Sequence, residues 1–248
     1  MTKVALFYSN TTPLSAESHG NWSLVPPTRF GFAAAANSVP LATPEFEKAA
    51  RYYPIVFVPE GDAMRACAIL GYTQEQNLFV DSDGRWDAEY IPAFVRRYPF
   101  VFATTEGRDA LTLCVDDSYA GFNQEGDGEP LFLAGGGRSG YLEQTLTFLQ
   151  QYQAELGRTA ELAERLVKLE VLEEVQAQVS LETGQQLSLK GFSAVNRDRL
   201  RALSGDALRD LAADDWLELI YIHLFSLGNF AQLMDRLATR RAAPATAE

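Results

Sequence analysis

Residues 77–102 read NLFVDSDGRWDAEYIPAFVRRYPFVF, from Asn77 to Phe102. This stretch concentrates one acidic turn, one Trp, two adjacent arginines, two X-Pro steps and a closing apolar run. Leu78, Phe79 and Val80 are apolar and β-prone, and Asp81-Ser82-Asp83-Gly84 is strong turn chemistry, so the segment predicts strand, turn, strand or short helix, then strand. The Asp81-x-Asp83-Gly84 pattern is not a calcium loop. An EF-hand places a bidentate Glu at about position 12, and counting from Asp81 that position is Pro92. Tyr98 precedes Pro99 and is biased to extended geometry. On an extended backbone Arg96 and Arg97 point to opposite faces, so at most one of them meets an interior. Two readings of that arginine stand: a planar clamp for a carboxylate or phosphate, or a partner of an internal Asp or Glu.

Working outward, the N-terminal flank alternates loop and apolar segments. Residues 9–31 carry three prolines among Ser, Thr, Asn and Gly, and are expected to wrap a surface without regular structure. His19 and Trp22 lie in that loop, where a ligand site or a loop anchor would each use them. Phe30 to Ala36 is expected to enter the core. Thr43-Pro44 is a helix start, with Thr as N-cap and Pro at the first helical position. Phe46, Ala49, Ala50 and Tyr53 then fall on one face and Pro54 ends the helix. Ile55 to Val58 reads as a strand buried on both faces. Ala66 to Tyr72 is a further apolar stretch, and Phe100 to Thr104 with Ala110 to Val115 form a hairpin-like pair.

Downstream the period changes from two to 3.6. Gly135-Gly136-Gly137-Arg138-Ser139-Gly140 formally matches G-x-G-x-x-G, but no second parallel strand with an acid follows on schedule, so the dinucleotide reading fails. A helix from Tyr141 to Leu156 closed by Gly157, and a second from Thr159 to about Glu170, are expected. A small hairpin should follow around Glu182-Thr183-Gly184. A short helix then starts at Ser204-Gly205-Asp206 and ends near Ala213. Asp215 should cap a last, centrally packed helix from Trp216 to about Leu237, with His223 as a buried, hydrogen-bonded side chain. The fold class is therefore α+β, a mainly β N-terminal half packed with a mainly α-helical C-terminal half. Residues 1–134 are the β-rich region with one helix, 135–240 the helical region with a small hairpin, and 241–248 a disordered tail.

Composition narrows the function classes. The 248 residues are 47% hydrophobic and 22% charged, ordinary for a globular chain large enough to bury a sizeable core. A net charge of −12 argues against a nucleic-acid or anionic-membrane partner, which would need a basic face. The apolar run Val4 to Tyr8 is too short for a signal peptide, and no run reaches the roughly 18 apolar residues of a membrane span. Cys67 and Cys114 sit in apolar surroundings, as buried thiols do. A cytoplasmic, reduced protein without membrane insertion is expected.

The catalytic inventory is thin. His19 and His223 are the two histidines, and neither stands in H-x-E, H-x-D or H-E-x-x-H. No metal cluster spacing, nucleophile elbow or P-loop is present, so no metal and no cofactor are expected. Aromatic residues are instead dense in the first hundred positions, interleaved with arginines. They suit an anionic or aromatic small molecule or a peptide end, or else form the core of the β region. The candidate binding residues are Trp86, Arg85, Tyr90, Arg96, Arg97, Trp22 and His19.

Several segments together carry a resemblance. Phe30 to Phe46 (FGFAAAANSVPLATPEF), Tyr53 to Phe57, Leu70-Gly71, Asn77 to Pro92, Arg96 to Phe100, Leu131-Phe132, Leu189 to Phe192, Arg199-Leu200 and His223 to Asn229 (HLFSLGN) resemble the bacterial SapC family. That family is distinct from the permease component sharing its name. The resemblance implies an S-layer- or envelope-associated accessory protein, often found in company with outer-membrane receptors and flavin halogenase-like proteins, and it carries over no catalytic residue. Two functions follow as expectations. One is a non-catalytic binding or accessory protein whose partner is a small anionic or aromatic molecule, a peptide, or a flavin halogenase-like protein. The other is a metal-independent enzyme using carboxylate, Tyr and Arg chemistry, linked to halogenase or envelope-uptake pathways.

Overall fold

The protein is described by a computed structural model covering residues 6–104, 111–180 and 186–242. In chain order the elements are β1 (Thr11–Pro13), α1 (Ala16–His19), β2 (Ser23–Leu24), β3 (Ser38–Pro40), α2 (Phe46–Ala49), β4 (Ile55–Glu60), β5 (Ala63–Ile69), α3 (Ala93–Arg96), β6 (Phe100–Thr104) and β7 (Leu111–Asp116). They continue with β8 (Phe122–Asn123), β9 (Glu129–Pro130), α4 (Gly140–Lys168), β10 (Leu172–Ser180), β11 (Gln186–Val195), α5 (Arg197–Arg201), α6 (Gly205–Ala213), α7 (Trp216–Ser226) and α8 (Asn229–Ala242). The fold is α+β, with sheets concentrated in the N-terminal half and helices in the C-terminal half. The expected turn at Glu182-Thr183-Gly184, Ala110 and positions 243–248 of the expected tail lie outside the described residues.

The main sheet has the order β10-β11-β4-β5-β3, all antiparallel, so the C-terminal hairpin joins strands from the N-terminal half. Ile55, Val56 and Phe57 are fully buried, which explains an apolar run without alternation. A second sheet, β1-β7-β6, carries the expected hairpin of β6 and β7. The loop expected over residues 9–31 holds β1, α1 and β2, with β2 between β8 and β9 in a third small sheet.

Helix boundaries differ from the sequence reading in four places, each for a local reason. Thr43-Pro44 opens a 3-10 turn, Thr43–Glu45, capped one residue earlier at Ala42. The Glu45 carboxylate reaches back to the Ala42 N–H at 2.9 Å. Gly157 does not end a helix: α4 runs 29 residues straight through it. Its buried stripe continues past Gly157 through Thr159, Leu162 and Leu166, and packing on β5 outweighs the roughly 1 kcal/mol that Gly costs against Ala in a helix. Asp215 takes a left-handed conformation (φ 60°) and makes no side-chain cap bond to α7. The expected long last helix is broken at Leu227-Gly228 into α7 and α8. The break moves the buried stripe from His223 and Leu227 to Ser226, Asn229, Leu233 and Leu237, leaving Phe225 77% exposed on the outer face.

The HLFSLGN segment spans this break and explains it. His223 is fully buried, accepting from the Val195 N–H through Nε2 (3.0 Å) and donating from Nδ1 to the Ile55 carbonyl (2.8 Å). Ser226 Oγ accepts from the Ile55 N–H (2.9 Å) and donates to the His223 carbonyl (2.6 Å). Asn229 Nδ2 donates to the carbonyls of Ala50 (2.7 Å) and Tyr53 (3.1 Å). Three polar side chains thus satisfy buried backbone groups of the turn after α2, of β4 and of β11. His223 is a structural histidine, as the sequence reading held.

Candidate functional site

The stretch 77–102 folds around two anchors. Asn77 is fully buried; its Nδ2 donates to the Ala33 carbonyl (3.0 Å) and its Oδ1 accepts from the Phe79 N–H (2.9 Å). Leu78 to Val80 are buried but do not form the expected strand. The N–H of Leu78 goes to the Leu70 carbonyl at 2.8 Å, and Arg240 donates to the carbonyls of Asn77 and Val80, so no ladder develops beyond one bridge between Val80 and Trp86. The predicted turn is present: Gly84 has φ +77°, and the Asp81 carboxylate accepts from the Arg85 N–H at 2.8 Å.

Arg96 and Arg97 are not on an extended strand. Pro92 precedes the single turn α3, with the N–H groups of Val95 and Arg96 bonded to its carbonyl (2.9 and 3.0 Å), and Arg97 caps that turn. Successive residues on a helical turn lie about 100° apart rather than opposite. Both arginines therefore line the same cleft, of about 300 Å³. Its walls are Pro26, Pro27 and Phe30 from the N-terminal loop, Ile91, Val95 and Tyr98 beside the arginines, Phe100 on β6, and Tyr141, Thr145 and Phe148 on α4.

The two guanidiniums are held differently. Arg96 is exposed; its Nε donates to the Ile91 carbonyl at 2.9 Å, and its guanidinium carbon lies 5.2 Å from the Phe148 ring centroid and 6.0 Å from that of Tyr90. Arg97 is half-buried and turned inward, stacked on Phe94 at 3.9 Å, with Tyr8 and Tyr152 at 5.8 and 6.0 Å. Its Nε is buried with no hydrogen-bond acceptor among the described residues. Neither arginine has a carboxylate within ion-pair distance among the described residues, which removes the internal ion-pair reading for both.

Glu45 sits behind Arg96, with Tyr90 between cleft and core. Its Oε1 accepts from the Tyr90 hydroxyl (2.8 Å) and the Ala93 N–H (2.7 Å). Burial pushes the Glu45 carboxyl up, opposed by the hydrogen bonds from Ala42, Ala93 and Tyr90 and by the charge of Arg96. Burial and the neighbouring Glu45 also raise the Tyr90 hydroxyl. On the opposite side Tyr98 stacks on Phe32 (4.0 Å, 22°) and its hydroxyl donates to Asp116 Oδ2 at 3.3 Å.

The structure brings some of the candidate residues together and not others. Arg96 and Arg97 line the cleft, and Tyr90 backs Arg96. Trp86 stands one layer behind, in edge contact with the cleft residue Phe30 (5.9 Å), its Nε1 donating to the Tyr53 hydroxyl at 2.8 Å. Arg85 is exposed on the acidic turn, 3.5 Å from Asp83. His19 and Trp22 pack edge-to-face at 4.6 Å, with Trp22 against Phe122 in a separate core cluster, as a loop anchor does. Sequence reasoning missed Glu45 and the α4 wall. Tyr141, Thr145 and Phe148 recur at helical spacing beside the Leu142, Leu146 and Leu149 stripe, and that second stripe was the available signal.

A family model described as SapC matches residues 14–233. No curated protein and no solved structure matches the chain.

Proposed function

The chain belongs to the SapC family, and we propose that it acts as a binding or accessory protein whose cleft takes a small anionic ligand with an aromatic or apolar body. The observation that carries this reading is the pair Arg96 and Arg97 on one aromatic-walled cleft, with no carboxylate in ion-pair range among the described residues. Cations not locked in an ion pair among the described residues, inside a concave apolar surface, are suited to an anion brought from outside. On a chain of net charge −12, two arginines on one cleft give an anion a local positive site that the general field does not.

Binding without turnover is favoured by the state of Glu45. It is the carboxylate beside Arg96, and both its oxygens already accept hydrogen bonds, from Ala42 on one side and from Tyr90 and Ala93 on the other. A general base needs reach to a substrate proton, and Tyr90 stands in the way. A cytoplasmic setting and association with envelope-uptake or halogenase systems belong to the same proposal. The described residues include no helix long and apolar enough to cross a membrane.

The test is calorimetric titration of the native protein with aryl carboxylates, short peptides with a free terminus and their uncharged amides, followed by mass spectrometry of the mixtures. Saturable binding with every ligand recovered unaltered is expected. Chemical conversion would replace this reading by the enzyme one. Absence of binding alongside stoichiometric capture of a flavin halogenase-like protein would make the chain a protein-interaction module.

A further inference from the structure

Two cations on one cleft raise the question of which one reads the ligand, and what anionic group it reads. The two are not equivalent. Arg97 presents one guanidinium face to Phe94 at 3.9 Å, and its buried Nε has no acceptor among the described residues. Its charge is placed to serve the interior, among Tyr8, Phe94 and Tyr152. Arg96 is exposed, its Nε engaged by the Ile91 carbonyl and one side of its guanidinium drawn to the Tyr90 hydroxyl, so the side turned away from Tyr90 is what meets a ligand. That side is oriented in advance: Ile91 fixes the stem, Phe148 lies under the guanidinium, and Tyr90 flanks it. Tyr90 is in turn fixed by its 2.8 Å bond to Glu45, whose other contacts are backbone N–H groups of the 3-10 turn and α3.

The donor inventory distinguishes carboxylate from phosphate. Phosphate sites gather several donors around three oxygens, commonly with backbone N–H groups at a helix start. Besides the guanidiniums the side-chain donors on the α4 wall are the Tyr141 hydroxyl and Thr145, whose hydroxyl already donates to the Tyr141 carbonyl at 2.9 Å. With Arg97 turned inward onto Phe94, the cleft presents the Arg96 fork and the Tyr141 hydroxyl on an aromatic wall, too few donors for the oxygens of a phosphate and a match for a planar, singly charged carboxylate carrying a ring. Resting on the cleft being a binding site, we propose that Arg96 is the specificity-determining residue that selects a carboxylate, and that Tyr90 and Glu45 position it. The carboxylate belongs to a free aryl acid or to the terminus of a short peptide.

The probes are 2-naphthoate, 2-naphthamide and 2-naphthyl phosphate, with acetyl-Ala-Ala-Phe as free acid and as amide, titrated by calorimetry. Wild type should prefer 2-naphthoate over its amide by about tenfold or more, the equivalent of one charge-assisted contact, and over the phosphate. Comparing the naphthyl and peptide pairs identifies the source of the carboxylate. Arg96→Gln should reduce the acid-to-amide preference to about twofold or less while its melting temperature stays near wild type. Tyr90→Phe should lower the same preference severalfold while leaving amide affinity unchanged; a merely structural change would weaken acid and amide together. Retention of the preference in Arg96→Gln, or its loss in Arg97→Gln alone, overturns the assignment while leaving the cleft as a binding site. Binding of none of the probes to wild type overturns the binding reading itself.

Discussion

Burial of His223 makes folding stability depend on pH over a defined window. The imidazole is fully buried, with both ring nitrogens bonded to backbone groups, Nδ1 as donor to Ile55 and Nε2 as acceptor from Val195. Burial lowers its pKa to about 4, against the hydrogen bond to Ile55, whereas an unfolded histidine titrates near 6.5. As pH falls the unfolded chain takes the proton first, so stability conferred by the neutral ring is complete above about 6.5 and drains away toward about 4. A separation of about 2.5 units corresponds to about 3 kcal/mol over the whole window, of which about 2 kcal/mol is gone by pH 5. Glu45, whose carboxyl is raised by burial, acts in the opposite sense at the low end, holding its proton in the folded state. The clean measurement is therefore a difference. Urea unfolding of wild type and His223→Gln at pH 7.5, 6 and 5 should show wild type losing about 2 kcal/mol more than the variant over that range. At pH 7.5 the variant should already be weaker by about 1–3 kcal/mol for each backbone group left unpaired. Imidazole NMR resonances follow the same group directly. A pH-independent difference between the two proteins, or a His223 ring titrating above pH 6 in the folded state, would refute the reasoning.

Two further outcomes follow from buried polar groups. The fully buried Asp116 accepts from the N–H groups of Ser9, Asn10 and Ser118, the Ser118 hydroxyl (2.6 Å) and the Tyr98 hydroxyl. Burial raises its carboxyl, but these hydrogen bonds outweigh burial and hold it below the usual value. Its contribution is thus present above about pH 4 and lost as pH falls through the folded value. Asp116→Ala should cost roughly 2–4 kcal/mol in urea unfolding at pH 7, and a loss under about 1 kcal/mol would contradict the described network. Because Arg97 has no carboxylate partner among the described residues, Arg97→Ala should cost only about 1–2 kcal/mol of ring stacking and packing rather than the roughly 3–5 kcal/mol of a broken buried ion pair. Thermal and urea unfolding distinguish the two.

The amino-acid sequence by itself determined the elements whose physics is local. The Asp81–Gly84 turn follows from turn chemistry, the helix start at Ser204 from its position before a helical period, and the buried strand at Ile55 from a short run of apolar β-prone residues. It also determined that His223 is structural, because one histidine on an apolar helix face has few other uses. What only the tertiary structure decided depends on partners distant in sequence. Whether Gly157 ends a helix is set by the continuous stripe packing on β5, and whether α7 runs on past Leu227 by Ser226 and Asn229 reaching backbone groups of β4 and of the turn after α2. The candidate site shows the same division. The two arginines were legible as unusual, but their common face required α3 to form after Pro92, and the opposite wall comes from Tyr141 and Phe148, more than forty residues along the chain. Periodicity states which residues share a face of one element; which two faces meet to form a cleft is settled by packing between elements.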